Sequence, residues 1–185
     1  ILASEPNNLK TNLNLGILYI QVKKFDLAKP IFKKVIKIDD KNIHGYNNLG
    51  IVLKNLKEYD QAVECYKKVI ILDPNFNDSY FNLALCYKEM REFEKSKNVL
   101  EKIIENDPLN KEALHQLAVL NYEIGNLQDS KKYYKNILEK DPNNEDANYM
   151  LGSLYFHSGD LRKSIAYNEK VIIINPKNCK VLNNL

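Results

Sequence analysis

The sequence contains no tryptophan and only six glycines, three cysteines and three histidines among its 185 residues. The glycines do not form the closely spaced loop that cradles phosphate groups, and no nucleophile motif of a hydrolase occurs. His44, His115 and His157 have no partner at the spacing that metal ligands require. The sequence therefore predicts no catalytic site, no cofactor and no metal ion, and it indicates that this chain is not an enzyme.

The sequence also has few cysteines, no long apolar run and only a small net charge. Cys65, Cys86 and Cys179 are odd in number and far apart, which argues against a disulfide framework and predicts a reducing, intracellular compartment, cytoplasmic or nuclear. No apolar run approaches the ~18 residues that a membrane span needs, so we expect no membrane partner. A net charge of +3 is too small to argue for nucleic acid as a partner.

What the sequence does contain is a repeat of 34 residues. Shifting the segment 43–76 by one period aligns a leucine, the small residue that follows it and a helix-stopping proline in most copies. We number the positions of each copy as slots 1 to 34. The copies are residues 9–42, 43–76, 77–110, 111–144 and 145–178.

Each repeat contains two stretches with helical periodicity, which we name helix A and helix B. Apolar or small residues recur at slots 3, 4, 7, 8, 10, 11 and 14 of helix A and at slots 17, 20, 24, 27 and 28 of helix B. This 3.6-residue spacing indicates the core. The small residues at slots 8 and 20 predict a close approach of helices A and B.

Polar and glycine residues indicate where helix A begins and ends. Asparagine at slot 34 predicts an N-cap, because its side-chain oxygen can accept from an N–H of the first turn. Glycine at slot 15 predicts the left-handed residue that closes the helix in the last two repeats. Lysine or arginine at that slot in the first three repeats is expected to cost about 1 kcal/mol each. The residues concerned are Asn42, Asn110, Asn144, Asn178, Gly125, Gly159, Lys23, Lys57 and Arg91.

Pro30 lies inside helix B of the first repeat. A proline beyond the first turn removes a hydrogen bond and clashes with the preceding turn. We therefore expect this helix to start late or to kink near residues 26–30.

The 34-residue period with helix–turn–helix content resembles the tetratricopeptide repeat family over the whole chain. The resemblance implies an all-α, right-handed superhelical solenoid that forms a single domain over residues 1–185 and presents a concave groove lined by helix A. Residues 1–8 and 179–185 match parts of further repeats, so we expect the chain to be an interior segment of a longer array. Apolar residues at these ends predict end-to-end self-association or fraying: Ile1, Leu2, Leu182 and Leu185.

The functional signal lies on the face of helix A that is not core, at slots 2, 5, 6, 9, 12 and 13. Slot 6 carries a side-chain amide and slot 9 an aliphatic residue in four of five repeats, whereas a solvated helix face usually carries lysine and glutamate. An amide offers one acceptor and two donors to the peptide groups of an extended ligand. The alternative is that slot 6 is a family consensus residue enriched by a composition rich in asparagine. The predicted members are Asn14, Ile17, Asn48, Ile51, Asn82, Leu85 and Gln116.

Charge on this face changes along the chain. The first two repeats present basic residues, including Lys54, whereas the later three are acidic and aromatic. Acid beside aromatic suits a protein or peptide ligand with lysine or arginine near an apolar anchor. The predicted members in the later repeats are Phe81, Glu89, Glu112, His115, Tyr122, Glu123, Asp146, Tyr149 and Phe156.

The favoured function is a protein–protein interaction scaffold that binds an extended peptide in the helix A groove. One alternative is the substrate-recognition array of an enzyme whose catalytic domain lies elsewhere, since the Asn-Leu-Gly segments of helix A resemble the arrays of O-linked sugar transferases. Another is a subunit of a large assembly. The paired basic residues with which some tetratricopeptide co-chaperones hold a C-terminal carboxylate do not occur at slots 2 and 6. The many lysines of helix B are interpreted as a solvated convex face.

Overall fold

The computed structural model describes residues 7–178. Within that range the chain forms ten α-helices and no strand, and successive A helices begin 34 residues apart. The A helices are α1 (Leu9–Gln21), α3 (Ile43–Asn55), α5 (Asn77–Glu89), α7 (Lys111–Glu123) and α9 (Glu145–His157). The B helices are α2 (Phe25–Ile38), α4 (Tyr59–Leu72), α6 (Phe93–Asn106), α8 (Leu127–Lys140) and α10 (Leu161–Ile174). The predicted all-α class is confirmed. The terminal residues expected to drive self-association, Ile1, Leu2, Leu182 and Leu185, lie outside the described range.

The chain divides into two compact units, residues 1–99 and residues 100–185, with the boundary inside α6. In the first unit each of α1 to α4 packs on the helix that follows it, and α1 also contacts α3, as α3 contacts α5. In the second unit α7 packs on α8, α8 on α9 and α9 on α10. Each unit is therefore a stack in which a helix packs mainly on its neighbours in sequence.

Asparagine caps four of the five A helices. The side-chain oxygens of Asn8, Asn42, Asn110 and Asn144 each accept a backbone N–H three residues later, at 2.8 to 3.0 Å. The caps predicted at Asn42, Asn110 and Asn144 are therefore confirmed. α5 follows Phe76 and has no side-chain cap.

The connection between helices A and B contains one left-handed residue in every repeat. Lys23, Lys57 and Arg91 have φ angles of 56°, 61° and 60°, and Gly125 and Gly159 have 81° and 78°. The left-handed turn predicted from Gly125 and Gly159 therefore also forms in the three repeats that have lysine or arginine at slot 15. Three side chains with a Cβ adopt a conformation that favours glycine, which stores strain in the first unit.

Lys57→Gly is expected to raise the free energy of unfolding by about 1 kcal/mol, because glycine adopts the left-handed conformation without the Cβ clash. Lys33→Gly, at an exposed position inside α2, is the matched control and should lower it by about 1 kcal/mol. Urea denaturation of the two variants measures both values. A loss of stability in Lys57→Gly similar to that of the control would contradict the strain.

The core follows the predicted stripes. In the second repeat, Leu49, Val52 and Leu53 of α3 are buried against Ala62, Tyr66 and Val69 of α4. The buried cluster of the first unit consists of Ala28, Phe32, Val35, Leu49, Val52, Leu53, Ala62, Val63, Cys65, Tyr66, Leu83, Cys86 and Tyr87. In the second unit the largest fully buried side chains are Leu114, Leu117, Leu120, Tyr134, Leu151 and Leu154.

Small residues at slots 8 and 20 bring helices A and B together, as predicted. The hydroxyl of Ser96, at slot 20, donates to the carbonyl oxygen of Ala84, at slot 8, at 2.8 Å. Ser130 does the same to Ala118, also at 2.8 Å. Where slot 8 is glycine, the side chain at slot 24 of helix B packs directly against it. A Cβ on Gly50 would lie 2.6 Å from the Tyr66 ring. Any side chain at Gly50 must displace that ring.

The expected late start of α2 is wrong. The helix begins at Phe25, the slot at which every other B helix begins, and continues through Pro30 to Ile38. Proline has no N–H, so Pro30 cannot donate the helical hydrogen bond to the carbonyl oxygen of Asp26. Both residues are exposed. Water can satisfy that oxygen, so the proline costs less than it would on a buried face.

Candidate functional site

The helix A face of the first unit carries side-chain amides that the fold does not use. Asn14 of α1 is exposed and Asn48 of α3 is half-buried, and neither side chain makes a hydrogen bond to another described residue. Each amide therefore keeps one acceptor and two donors available for a ligand.

Several other asparagines in or next to the A helices are engaged within the fold. Asn42 and Asn144 cap helices. Asn121 and Asn148 are buried, and their Nδ2 atoms donate to backbone carbonyls at 2.7 to 3.1 Å. Asparagine at these slots has a structural role, whereas the amides of Asn14 and Asn48 have none in the described part of the chain.

An aliphatic row accompanies the amides at slot 9. Ile17 and Leu85 are 38% and 37% exposed, and Ile51 is half-buried. Leaving this apolar surface in water costs free energy that a ligand side chain would recover on binding. The row and the amides lie on one side of α1, α3 and α5, since slots 6 and 9 are three residues apart on a helix.

Lys54 is held by the amide row rather than projecting freely into solvent. Its Nζ donates to Oδ1 of Asn82 at 3.2 Å, which joins α3 to α5. Asn82 therefore has its acceptor engaged and its amide N–H groups free, within the described residues. Phe81 beside it is half-buried and Glu89 is exposed. A ligand carbonyl would meet a donor at Asn82.

The helix A face of the second unit contains an open pocket of about 390 Å³ between α7, α8 and α9. Lys111 in its wall is paired with Asp141 at 2.9 Å, which leaves the carboxylates of Glu112 and Asp146 to set the charge of the pocket. His115 contacts the Tyr134 ring edge-on, with the ring centroids 6.1 Å apart. The pocket is lined by Lys111, Glu112, His115, Ile137, Asn144 and Asp146. It combines two carboxylates with an apolar wall.

The amide at slot 6 of α7 is engaged, in contrast to those of Asn14 and Asn48. Nε2 of Gln116 donates to Oε1 of Glu112 at 2.8 Å, one turn earlier on the same helix. The structure therefore places Gln116 with the acidic pocket rather than with a free amide row.

Aromatic side chains lie further along the same A helices, outside the pocket lining. Phe156 of α9 is 59% exposed and Tyr122 of α7 is 37% exposed, while Tyr149 is half-buried. Glu123 next to Tyr122 is exposed. An apolar ring left this open to water is a suitable anchor for a ligand side chain.

Among the described residues, possible metal ligands are dispersed and both cysteines are buried. No group of three or more histidine, cysteine or acidic residues among them could hold a metal ion. Cys65 and Cys86 are buried, and burial raises the pKa of each thiol to about 11, so the reactive thiolate is scarce at neutral pH. In the described range, no helix has the length and apolarity to cross a bilayer.

Models of the tetratricopeptide repeat match nearly all of the chain. One matches residues 44–76, a second matches residues 122–183 and a third matches residues 9–42 and 78–108. The segments 9–42, 44–76 and 78–108 each cover one helix pair, and the segment 122–183 includes α8, α9 and α10. The chain belongs to the tetratricopeptide repeat family.

Solved tetratricopeptide repeat structures share the fold at low sequence identity. YrrB, described as a protein with an unusual peptide-binding site, is 19% identical and aligns over 99% of this chain and 94% of its own, with a TM-score of 0.73. MamA of Desulfovibrio magneticus RS-1 is 18% identical over 92% and 97%, with a TM-score of 0.78. PilW, a type IV pilus biogenesis factor, is 19% identical over 99% and 85%, with a TM-score of 0.80. No curated protein matches the sequence.

One side-chain cluster of this tetratricopeptide repeat chain was not predictable from the repeat pattern. Three lysines of α8 and one of α10 surround Tyr155 of α9 on the helix B side of the second unit. The lysines of α8 were visible as a basic helix face, but nothing in the 34-residue pattern indicated that side chains from three helices meet at one ring.

Proposed function

We propose that this chain is a protein-interaction scaffold whose helix A faces bind an extended segment of a partner protein. The observation that supports this best is the pair of unused amides, Asn14 and Asn48, beside the exposed aliphatic row. Peptide groups of an extended chain present N–H and C=O groups that such amides can pair with, largely regardless of ligand sequence. The peptide-binding site named for YrrB, a protein of the same fold, agrees with this proposal.

The second unit is proposed to select basic ligands. Its pocket holds Glu112 and Asp146, its lysine is already paired with Asp141, and Tyr122 and Phe156 are exposed further along the same helices. A ligand lysine or arginine would find carboxylates for its charge in the pocket, and a neighbouring apolar side chain of the ligand would find the exposed rings further along the helices. Charge complementarity of this kind mainly sets specificity and association rate.

Charge reversal tests this selection. A variant with Glu112→Lys, Glu123→Lys and Asp146→Lys is expected to bind an Arg- and Phe-containing peptide about tenfold more weakly and to bind a neutral peptide of equal length unchanged. The weakening should come mainly from slower association and should shrink between low and high salt, since exposed charges are screened. Stopped-flow fluorescence with both peptides measures it.

A matched control reverses three carboxylates away from this face: Glu105→Lys, Glu139→Lys and Glu169→Lys, all exposed on B helices. The control changes net charge equally but leaves the pocket intact. If it weakened the basic peptide as much as the first variant, long-range charge rather than the pocket would account for selection.

A further inference from the structure

The helix B side of the second unit contains a pocket of about 440 Å³ whose walls are dominated by lysine. Lys131, Lys132 and Lys135 come from α8 and Lys163 from α10. Tyr155 of α9 forms the floor. Gln128 and Asn136 add neutral hydrogen-bonding groups, and Glu139 is the one carboxylate among the lining residues.

Three of these ammonium groups gather around a single aromatic ring. The Nζ atoms of Lys131, Lys163 and Lys135 lie 4.7, 5.2 and 5.9 Å from the centroid of Tyr155. The ring is itself stacked on Tyr167, with 5.6 Å between centroids and 6° between planes. The stacking and the contacts with the ring face hold the cations close together, although like charges at this separation repel.

Lys131 is the most constrained of the four. Its residue is only 7% exposed, and its Nζ donates to the hydroxyl of Ser158 at 2.8 Å. Within the described residues, no carboxylate lies within ion-pair distance of Lys131, Lys132 or Lys135, whereas Lys163 is paired with Asp160 at 2.7 Å. A nearly buried lysine whose charge is not in direct contact with a carboxylate is unusual, because burial of a charge is costly unless it is paired; Asp160, which is paired with Lys163, acts on Lys131 only from a greater distance.

The first unit supplies an internal comparison, because the repeat places the same slots around Tyr87. There slots 21 and 22 are Val63 and Glu64 instead of lysines. Lys67 is paired with Glu64 at 3.0 Å, and Lys95, 5.5 Å from the ring centroid, is paired with Glu92 at 2.8 Å. Each cation at that ring has its own carboxylate, so the repeat fold does not require excess positive charge at this place.

The surroundings of Tyr155 and of Tyr87 differ in net charge. Around Tyr155, four lysines face the carboxylates of Asp160 and Glu139, which leaves two positive charges uncompensated. Around Tyr87, Lys67 and Lys95 are balanced by Glu64 and Glu92. A phosphate monoester carries a charge of about −1.5 to −2 at neutral pH and three strong acceptor oxygens, which matches the excess.

We propose that the lysine pocket of the second unit, formed by Lys131, Lys132, Lys135 and Lys163 around Tyr155, binds a phosphoryl group carried on a side chain of a partner protein. Lysine acts on phosphate as a compact point charge with three donors. The two uncompensated positive charges match the double negative charge of a phosphoryl group better than the single charge of a carboxylate. The pocket lies on the helix B side and is independent of the peptide-binding proposal for helix A.

The test uses the full chain and a fluorescein-labelled, otherwise neutral peptide with one phosphoserine, followed by fluorescence anisotropy. We expect the parent to bind it at least about tenfold more tightly than the unphosphorylated peptide. Lys132→Glu combined with Lys135→Glu should remove this preference, and both side chains are exposed or at the pocket rim, so the fold should persist. Circular dichroism checks the fold.

The matched control is Lys67→Glu combined with Lys68→Glu on α4 of the first unit, which makes the same change in net charge. It should retain the preference for the phosphopeptide. Equal binding of both peptides by the parent, or equal loss in the control variant, would overturn the proposal. If inorganic phosphate competed at the same concentration as the phosphopeptide, the assignment of the phosphoryl group to a partner protein would be overturned. A tighter complex with a single-stranded oligonucleotide would do so as well.

Discussion

Gly50→Leu is expected to destabilise the second repeat by about 3 kcal/mol or more, because the new side chain must enter space that Tyr66 occupies. A Cβ alone would lie 2.6 and 2.7 Å from Cε1 and Cζ of that ring, and Tyr66 is fully buried. Replacing a glycine within a helix gains about 1 kcal/mol of helix propensity, which is too small to offset the overlap.

The same slot elsewhere in the chain indicates how much can be tolerated. Ala118 occupies slot 8 of the fourth repeat opposite Tyr134, so one methyl group is compatible with a tyrosine ring at slot 24. Gly50→Ala is therefore the graded control, with a smaller loss than leucine. The three further carbon atoms of leucine are expected to cause most of the damage.

Urea denaturation and hydrogen exchange of the amides of α3 and α4 together measure this effect. In a stacked repeat the loss should be concentrated in these helices and their neighbours. Combining Gly50→Leu with Tyr66→Ala should cost less than the sum of the two single changes, since the cavity left by the ring receives the leucine. An unchanged melting temperature for Gly50→Leu would contradict the packing of slot 8 against slot 24.

The local elements of the fold were predictable because each depends on few residues. The period predicted where the helices lie, Asn42 and Asn110 predicted caps that form, and Gly125 predicted a left-handed turn that Lys57 also adopts. The error at Pro30 arose because the cost of a proline depends on whether the freed carbonyl faces water. Exposure on one side of α2 is a property of packing, which the sequence around Pro30 does not show.

For the candidate site, the sequence predicted only which residues share one face of a single helix. The side chains at slots 6 and 9 are exposed on α1, at Asn14 and Ile17, and half-buried on α3, at Asn48 and Ile51. The pattern did not show that Asn14 and Asn48 are unbonded while Gln116 is tied to Glu112, because rotamers and neighbouring turns decide hydrogen bonds. Nor did it show contacts between helices, such as that of Lys54 with Asn82. The sugar-transferase hypothesis stays a prediction.

Replacing Asn14, Asn48 and Asn82 together by alanine is expected to weaken binding of every extended peptide by about 1.5–4.5 kcal/mol. A neutral hydrogen bond is worth about 0.5–1.5 kcal/mol net, and three are removed. The loss should be similar for basic, neutral and acidic peptides, because the amides are proposed to pair with peptide groups rather than side chains.

The fold should survive this triple change. Asn14 and Asn48 make no side-chain hydrogen bond within the described residues, and Asn82 loses only its contact with Lys54. Alanine is also the better helix former. Asn98→Ala combined with Asn106→Ala, at exposed positions of α6, is the control and should leave both stability and peptide binding unchanged.

Peptides with N-methylated backbones make the measurement specific. Methylation removes the ligand N–H groups that the asparagine oxygens would accept, so it should weaken binding to the parent but have little further effect on the triple variant. Isothermal titration of matched methylated and unmethylated peptides against both proteins gives the coupling. If the triple variant binds all peptides as the parent does, slot 6 carries a consensus residue that does not contact the ligand backbone.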